Sequence, residues 1–259
     1  MRVLFGPAGS SGLGSVEGIK QCKDLKLEAM EVEFTHGVKM SNALAKQSGL
    51  LAKDLNISLS VHAPYFINLT SEEKEKIIAS KKRILMSCER AHHLGAKYIV
   101  FHAAYYQKNS PEECYKRVAE EVKTMNSVIK KNGWNVLLAP ETTGKASQFG
   151  TVEELLKLKK ETGCHLCVDF AHLYARNLGN IDYNEVFAKL KHLNHIQAHF
   201  SGIEYTQKGE RNHILLSRNF FLPLAKAIKK AKPDSITIIN ESPDVFGDAV
   251  KMQNWFDEV

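Results

Sequence analysis

Six short apolar runs in this chain each end on a side chain able to hold a metal. They are SLSVHAPY at His62, YIVFHAAY at His102, VLLAPETTG at Glu141, LCVDFAH at Asp169 with His172 close behind, IQAHFSG at His199 and TIINESP at Glu241. Histidine and carboxylate together are a donor set for zinc, manganese or iron. Any one of them could be an ordinary buried or surface group, and His36, His92, His93, His165, His192 and His195 are read that way. The seven together are different. Carboxylates that converge in a buried place repel one another unless a cation neutralises them. Four imidazoles beside three carboxylates exceed the four ligands that one zinc takes, so the set implies two or three ions. Ions about 3.5–4 Å apart suit in-line displacement at phosphorus, where attacking and leaving oxygens both need stabilising.

Such residues can meet only if the chain brings distant strand ends to one place. Short β-branched runs of this kind are expected as parallel strands buried on both faces. In a closed parallel barrel the strand ends converge on one mouth, where active sites sit. Strands are predicted at Arg2–Phe5, at Ala29–Phe34 and in the six runs above. Helices are predicted near Ser15–Leu25, Ser41–Leu55, Ser71 or Glu72 to His93, Pro111–Lys131, Val152–Glu161, Asn219–Lys230 and from Val245 onward. Acidic residues open the third of these and Gly95 follows it; Pro111 opens the fourth and Gly133 follows it. Both patterns favour helix ends. A polar loop is expected from His199 through Asn212 and His213.

No linker or low-complexity tract interrupts the alternation, so the expectation is an α/β (β/α)8 TIM barrel, one domain over residues 1–259. An open doubly wound sheet would be expected to carry GxGxxG after its first strand; GPAGSSGLG lacks that spacing and reads as a plain turn. Period two supplies an internal check. Ser60, Val100, Ala139, Cys167, Gln197 and Ile239 lie two residues before the strand-end donors and would fill the layer beneath them. Gln197 is the least comfortable member.

The 259 residues are 25 % charged and 44 % hydrophobic, ordinary for a soluble globular chain. A formal charge of +6 suits either a lysine-rich solvated surface or a polyanionic partner such as DNA, and charge alone leaves both open. No apolar run reaches the roughly 18 residues that would span a bilayer, so no membrane association is expected. MRVLFGPAGSSG reads as a strand and turn rather than a signal peptide. Five cysteines without framework spacing suggest reduced thiols in a cytoplasmic setting. Cys164 and Cys167 form a CxxC within a predicted strand, where residues three apart face opposite ways, so they are poorly placed to share a metal.

The motifs VHAPYFINL, FHAAY, ETTG, VDFAH and ESP resemble, in order and separation over nearly the whole chain, those of the endonuclease IV family of apurinic/apyrimidinic endonucleases. The resemblance implies a TIM barrel with a three-zinc cluster that cuts double-stranded DNA 5′ to an abasic site. It implies one zinc on His62, His102 and Glu141, and a second on Glu141, Asp169, His199 and Glu241, with His172 serving a third. At that third site the chain departs from the family's Asp-Arg-His: it reads GERNHILL, with Glu210 for the aspartate, Arg211 for the arginine and Asn212 where the histidine belongs. A one-residue slip would bring His213 to the ion, so Glu210 and His213 are the expected ligands. On the DNA side the resemblance places Lys39 where an arginine is usual, and Tyr65 and Phe66 at the wedge that enters the duplex. The plain alternative is that these aromatics lid the barrel. Lys145 and Lys208 are further candidates for phosphate contact.

The expected activity is zinc-dependent hydrolysis of a DNA phosphodiester by a monomer, with Glu141 the catalytic carboxylate that orients or deprotonates water. Two rivals stand beside it. One is a sugar isomerase or epimerase of the same barrel class, holding one divalent ion between Glu141 and Glu241. The other is a non-catalytic DNA-binding protein with an incomplete cluster.

Overall fold

The computed structural model describes residues 1–259. Its elements follow the chain as β1 (Arg2–Pro7), α1 (Ser15–Asp24), β2 (Ala29–Glu33), α2 (Asn42–Leu55), β3 (Ser58–His62), α3 (Lys74–Leu94) and β4 (Tyr98–Phe101). Then come α4 (Pro111–Lys131), β5 (Leu137–Pro140), α5 (Val152–Thr162), β6 (Cys167–Asp169), α6 (Phe170–Arg176), α7 (Tyr183–Leu190) and β7 (Ile196–Phe200). β8 (Gly202–Thr206), β9 (Gly209–Ile214), α8 (Arg218–Ala231), β10 (Ser235–Asn240) and α9 (Val245–Asp257) complete the order.

Eight strands close into a parallel barrel. One arc runs β1-β10-β7-β6 and the other β2-β3-β4-β5. Parallel bridges Ala8–Glu31 and Glu141–Cys167 join the arcs on their two flanks. The helices are started by the residues the sequence offers for that purpose. Ser110 with Glu113 and Thr151 with Glu154 form reciprocal capping boxes on α4 and α5, and Ser41 caps α2. Left-handed Gly95 and Gly163 stop α3 and α5, where a Cβ would be unfavourable. The main apolar core lies between barrel and helices, with Phe101, Phe149, Phe170, Phe200 and Phe221 fully buried.

Inside the barrel the layers are smaller and of mixed polarity. Val100, Ala139 and Cys167 form one patch, and Leu4, Ala29 and Ile239 another. A polar layer holds Ser60, Gln197 and Glu31: Ser60 Oγ donates to Glu31 Oε2 at 2.6 Å, and Gln197 Nε2 donates to Ser60 Oγ at 3.2 Å. Gln197, awkward from sequence alone, is therefore paired. All five cysteines are free and buried; Cys164 lies in the outer core before β6 begins, not in the strand expected for it, and Cys167 faces the barrel interior.

Three local expectations change. α3 starts at Lys74 rather than Ser71 or Glu72, and two helices, α6 and α7, lie between β6 and β7. The polar stretch after His199 is an antiparallel hairpin, β8 with β9, rather than a loop. No helix is long and apolar enough to cross a membrane.

Candidate metal centre

Glu141, one residue beyond β5, is the hub of the mouth. Its carboxylate is fully buried and spans two sets of nitrogens. Oε2 lies 2.8 Å from His102 Nε2 and 3.4 Å from His62 Nε2. Oε1 lies 3.0 Å from His199 Nδ1 and 3.5 Å from His172 Nδ1. The other ring nitrogen of His62 lies 2.7 Å from the carbonyl of Ala63, which fixes the ring and leaves Nε2 facing inward.

The donors read from the sequence gather in three groups, each within 4.8 Å: His62, His102 and Glu141; Glu141, Asp169, His199 and Glu241; His172, Glu210 and His213. Every donor read from the sequence falls in one of them. Asp169 divides its work. Oδ1 caps α6 by accepting from the backbone N–H of His172 at 2.6 Å, while Oδ2 is buried, turned to the site and without a hydrogen-bond partner. His199 Nδ1 also lies 3.2 Å from Glu241 Oε1.

The third group owes its geometry to a β-bulge. Glu204 pairs with Asn212 and Tyr205 with Glu210, so Arg211 is an extra residue on β9. Side chains alternate along a strand, so without the bulge Glu210 and Asn212 would share a face. The extra residue instead puts Glu210 and His213 on one face and turns Asn212 away, with its side chain 3.3 Å from Glu204 Oε2. Glu210 then lies 3.6 Å from His172 Nε2 and 3.8 Å from His213 Nε2. Gly144, in the ETTG segment, makes room for it: a Cβ there would come within 2.5 Å of Glu210 Cβ. Arg176 holds the same loop by donating to Thr143 Oγ1 and to the Gln148 carbonyl, each at 3.0 Å.

The charges of these groups are set by one another. Burial alone would lower the basicity of His62, but Glu33 and Glu141 hold its pKa up at about 10. His172 and His199 are likewise raised well above the usual imidazole value despite burial, the former mainly by Asp169 and Glu141. Burial opposes ionisation of Glu141, yet His102 and His199 hold it well below the normal carboxylate range. Asp169 moves the other way, to about 6, because burial outweighs the pull of His172.

Two carboxylates here were not singled out from the sequence. Glu31 and Glu33 project inward from β2; Glu31 is fully buried, and its Oε1 lies 2.9 Å from His199 Nε2. Glu33 has both oxygens buried and unpartnered, and burial with Glu31 and Glu241 nearby pushes its pKa up to about 8. The signal was present in AMEVEF, where acidic residues alternate inside an otherwise apolar strand.

Around the rim, Lys39, Tyr65 and Phe66 are exposed on the loops that follow β2 and β3. Tyr65 and Phe66 are 54 % and 65 % exposed and adjacent in the chain, so together they present aromatic surface at the rim. The ring of Tyr65 lies 5.7 Å from that of His62, so this aromatic pair borders the donor groups directly. Lys208 is exposed at the hairpin turn and Lys145 half-buried in the loop after β5.

A family model described as xylose isomerase-like TIM barrel matches residues 19–258. An uncharacterized protein of Methanocaldococcus jannaschii, MJ0133, is 36 % identical, covering 99 % of this chain and 98 % of its own length. A probable endonuclease 4 of Mycobacterium leprae is 30 % identical over 60 % of this chain and 64 % of that one. Among solved structures, endonuclease IV from Thermus thermophilus aligns over all of both chains with a TM-score of 0.73 at 21 % identity. A D-tagatose 3-epimerase-like protein gives 0.75 at 18 % identity, covering 100 % of this chain and 96 % of that one. At such identities the structural likeness speaks for the barrel alone. With its motifs, its closed barrel and the match over residues 19–258, the chain belongs to the xylose isomerase-like TIM barrel family, AP endonuclease family 2.

Proposed function

We propose that this protein is a zinc-dependent endonuclease that hydrolyses the DNA backbone on the 5′ side of abasic sites, leaving a 3′ hydroxyl, in base excision repair. The observation that carries the reading is Glu141, whose two oxygens face separate nitrogen-bearing donor groups as a bridging carboxylate would. The donor chemistry fits zinc: mixed imidazole and carboxylate, with Asp169 Oδ2 buried and free of any hydrogen bond. His62, His102 and Glu141 would hold one ion, Glu141, Asp169, His199 and Glu241 a second, and His172, Glu210 and His213 a third. Zinc bound there would supply Lewis-acid activation, lowering the pKa of water toward about 7 and neutralising charge at phosphorus.

The chain's own residues do the rest. Glu141 is the catalytic carboxylate that orients the attacking water between the donor groups. Tyr65 and Phe66, exposed beside His62, are placed to wedge into a duplex, which is least costly at a damaged nucleotide. Lys39, Lys145 and Lys208 would meet phosphates on either side. Relatives bearing the names endonuclease 4 and apurinic-apyrimidinic endonuclease support this choice of substrate.

A second reading rests on one group alone. Glu141, Asp169, His199 and Glu241 form a self-sufficient four-donor set with two flanking glutamates, as a single-ion sugar epimerase would need. It leaves His62, His102 and the hairpin pair Glu210 and His213 without a purpose. Incubation of zinc-loaded protein with a duplex bearing one abasic site separates the two: a single nick with a 3′ hydroxyl is expected. An intact duplex, together with turnover of a ketose, would replace the nuclease with the epimerase.

A further inference from the structure

The mouth holds more negative charge than the three zinc groups require. Besides Glu141, Asp169, Glu210 and Glu241 it contains Glu31 and Glu33, six carboxylates in all. With neutral imidazoles and all six carboxylates ionised, three divalent ions would do no more than cancel these six charges. A phosphodiester, itself anionic, would then approach a site with no net attraction for it.

The two additional carboxylates are not random surface acids. One donor atom each from Glu31, Glu33 and Glu241 lies within 4.8 Å of the others. Glu31 is fully buried, with Oε2 fixed by Ser60 at 2.6 Å, and its Oε1 has no hydrogen-bond partner. His199 Nε2 lies 2.9 Å from that oxygen, so Oε1 faces one imidazole edge and the remaining Glu33 and Glu241 oxygens. Both oxygens of Glu33 are buried and accept nothing. The stem of Glu33 packs against Gly9, where a Cβ would approach its Cγ to 3.3 Å, so its reach is fixed by the β1–α1 turn. Buried, unsatisfied carboxylate oxygens aimed at one another are uncommon unless something positive lies between them.

We propose that Glu31, Glu33 and Glu241 form a further cation site beside the zinc cluster, for a hard divalent ion such as magnesium or manganese. The three donors it offers are all oxygens, which suit hard cations, whereas the neighbouring groups offer the nitrogens that favour zinc. The filled site restores two positive charges to the mouth and thereby attraction for the phosphate. Its charge argument rests on the zinc reading above; its donor geometry does not.

Manganese is the probe. Zinc-loaded, full-length protein is titrated with Mn²⁺ while free manganese is followed by electron paramagnetic resonance and retained zinc by elemental analysis. About one additional manganese per chain is expected, with zinc retained, and magnesium should compete for it. Glu33→Gln, close in shape but without the charge, should weaken manganese binding at least about tenfold with zinc content unchanged. Wild-type protein that takes up no manganese overturns the proposal, whether or not the variant folds. Equal binding by a folded E33Q protein overturns it as well. Zinc content below two equivalents would instead break the zinc reading, and the manganese result would still decide this one.

Discussion

Histidines wholly or partly withdrawn from water stand at both ends of this barrel and are driven in opposite directions. At the mouth, His62, His172 and His199 are held basic in spite of burial, because Glu33, Asp169, Glu31 and Glu141 face them. At the other end His165 and His195 stack on Tyr98, with ring centroids 4.5 and 5.2 Å away. Burial lowers the pKa of His165 to about 3, with Lys159 and Lys97 adding to the effect. His195 is lowered too, first by burial, despite a contribution from Gln197 in the other direction. Desolvation acts on both ends alike, so the difference lies in the partners. Carboxylates make the mouth a place for cations, whereas apolar and aromatic packing among nearby lysines makes the far end a neutral plug.

The largest effect should come from the carboxylate at the centre of the mouth. Glu141→Gln removes a charge that two donor groups share, and cleavage of abasic duplex should fall by more than about a thousandfold while circular dichroism stays native. A variant within tenfold of wild type would remove Glu141 from its assigned role. Chelation should come next. If ions bind the folded mouth alone, stripping them costs about 4 kcal/mol per ion when they were present at a thousandfold over Kd, read as a lower denaturation midpoint that added zinc restores. The far end should be indifferent to metal.

Acid distinguishes the ends by sign. His165 has its pKa depressed in the fold, so its neutral form is fully compatible with folding above about pH 6.5. As pH falls from there toward 3 the unfolded chain takes up a proton that the native chain refuses, costing up to about 1.4 kcal/mol per pH unit. His165→Phe keeps a ring against Tyr98 without the titrating group, so in urea melts the wild type should lose stability relative to the variant as pH drops. Parallel curves would contradict this. In ion-free protein His62 runs the other way: its pKa is raised to about 10, so its stabilisation is complete below about 6.5 and is lost as pH climbs toward 10. The smallest effect on stability belongs to the rim. Replacing both Tyr65 and Phe66 by alanine should leave the melting temperature nearly unchanged, since both are exposed, while weakening binding to abasic duplex about tenfold. A loss of stability without a loss of binding would make them a lid.

The mouth was more legible in the sequence than the features that complete it. Strand-end donors could be read because six apolar runs ended alike, and a parallel barrel leaves such ends only one place to converge. Glu31 and Glu33 escaped because β2 ends on neither histidine nor a lone acid after an apolar run; they belong to the alternating face of AMEVEF. The slip at Asn212 and His213 was visible as a mismatch, but its cause was not. A bulge at Arg211 changes which residues share a face, and alternation read along a single strand has no record of an inserted residue in its partner's register. The hairpin itself was hidden by its polarity, because β8 and β9 lie over the mouth and bury little apolar surface.

Anomalous diffraction at the zinc edge, from crystals grown with zinc, tests the central claim most directly. Strong peaks are expected on both sides of Glu141, one toward His62 and His102 and one toward His199, Asp169 and Glu241, with a third among His172, Glu210 and His213. A mouth without zinc, its imidazoles paired only to carboxylates, would contradict the account.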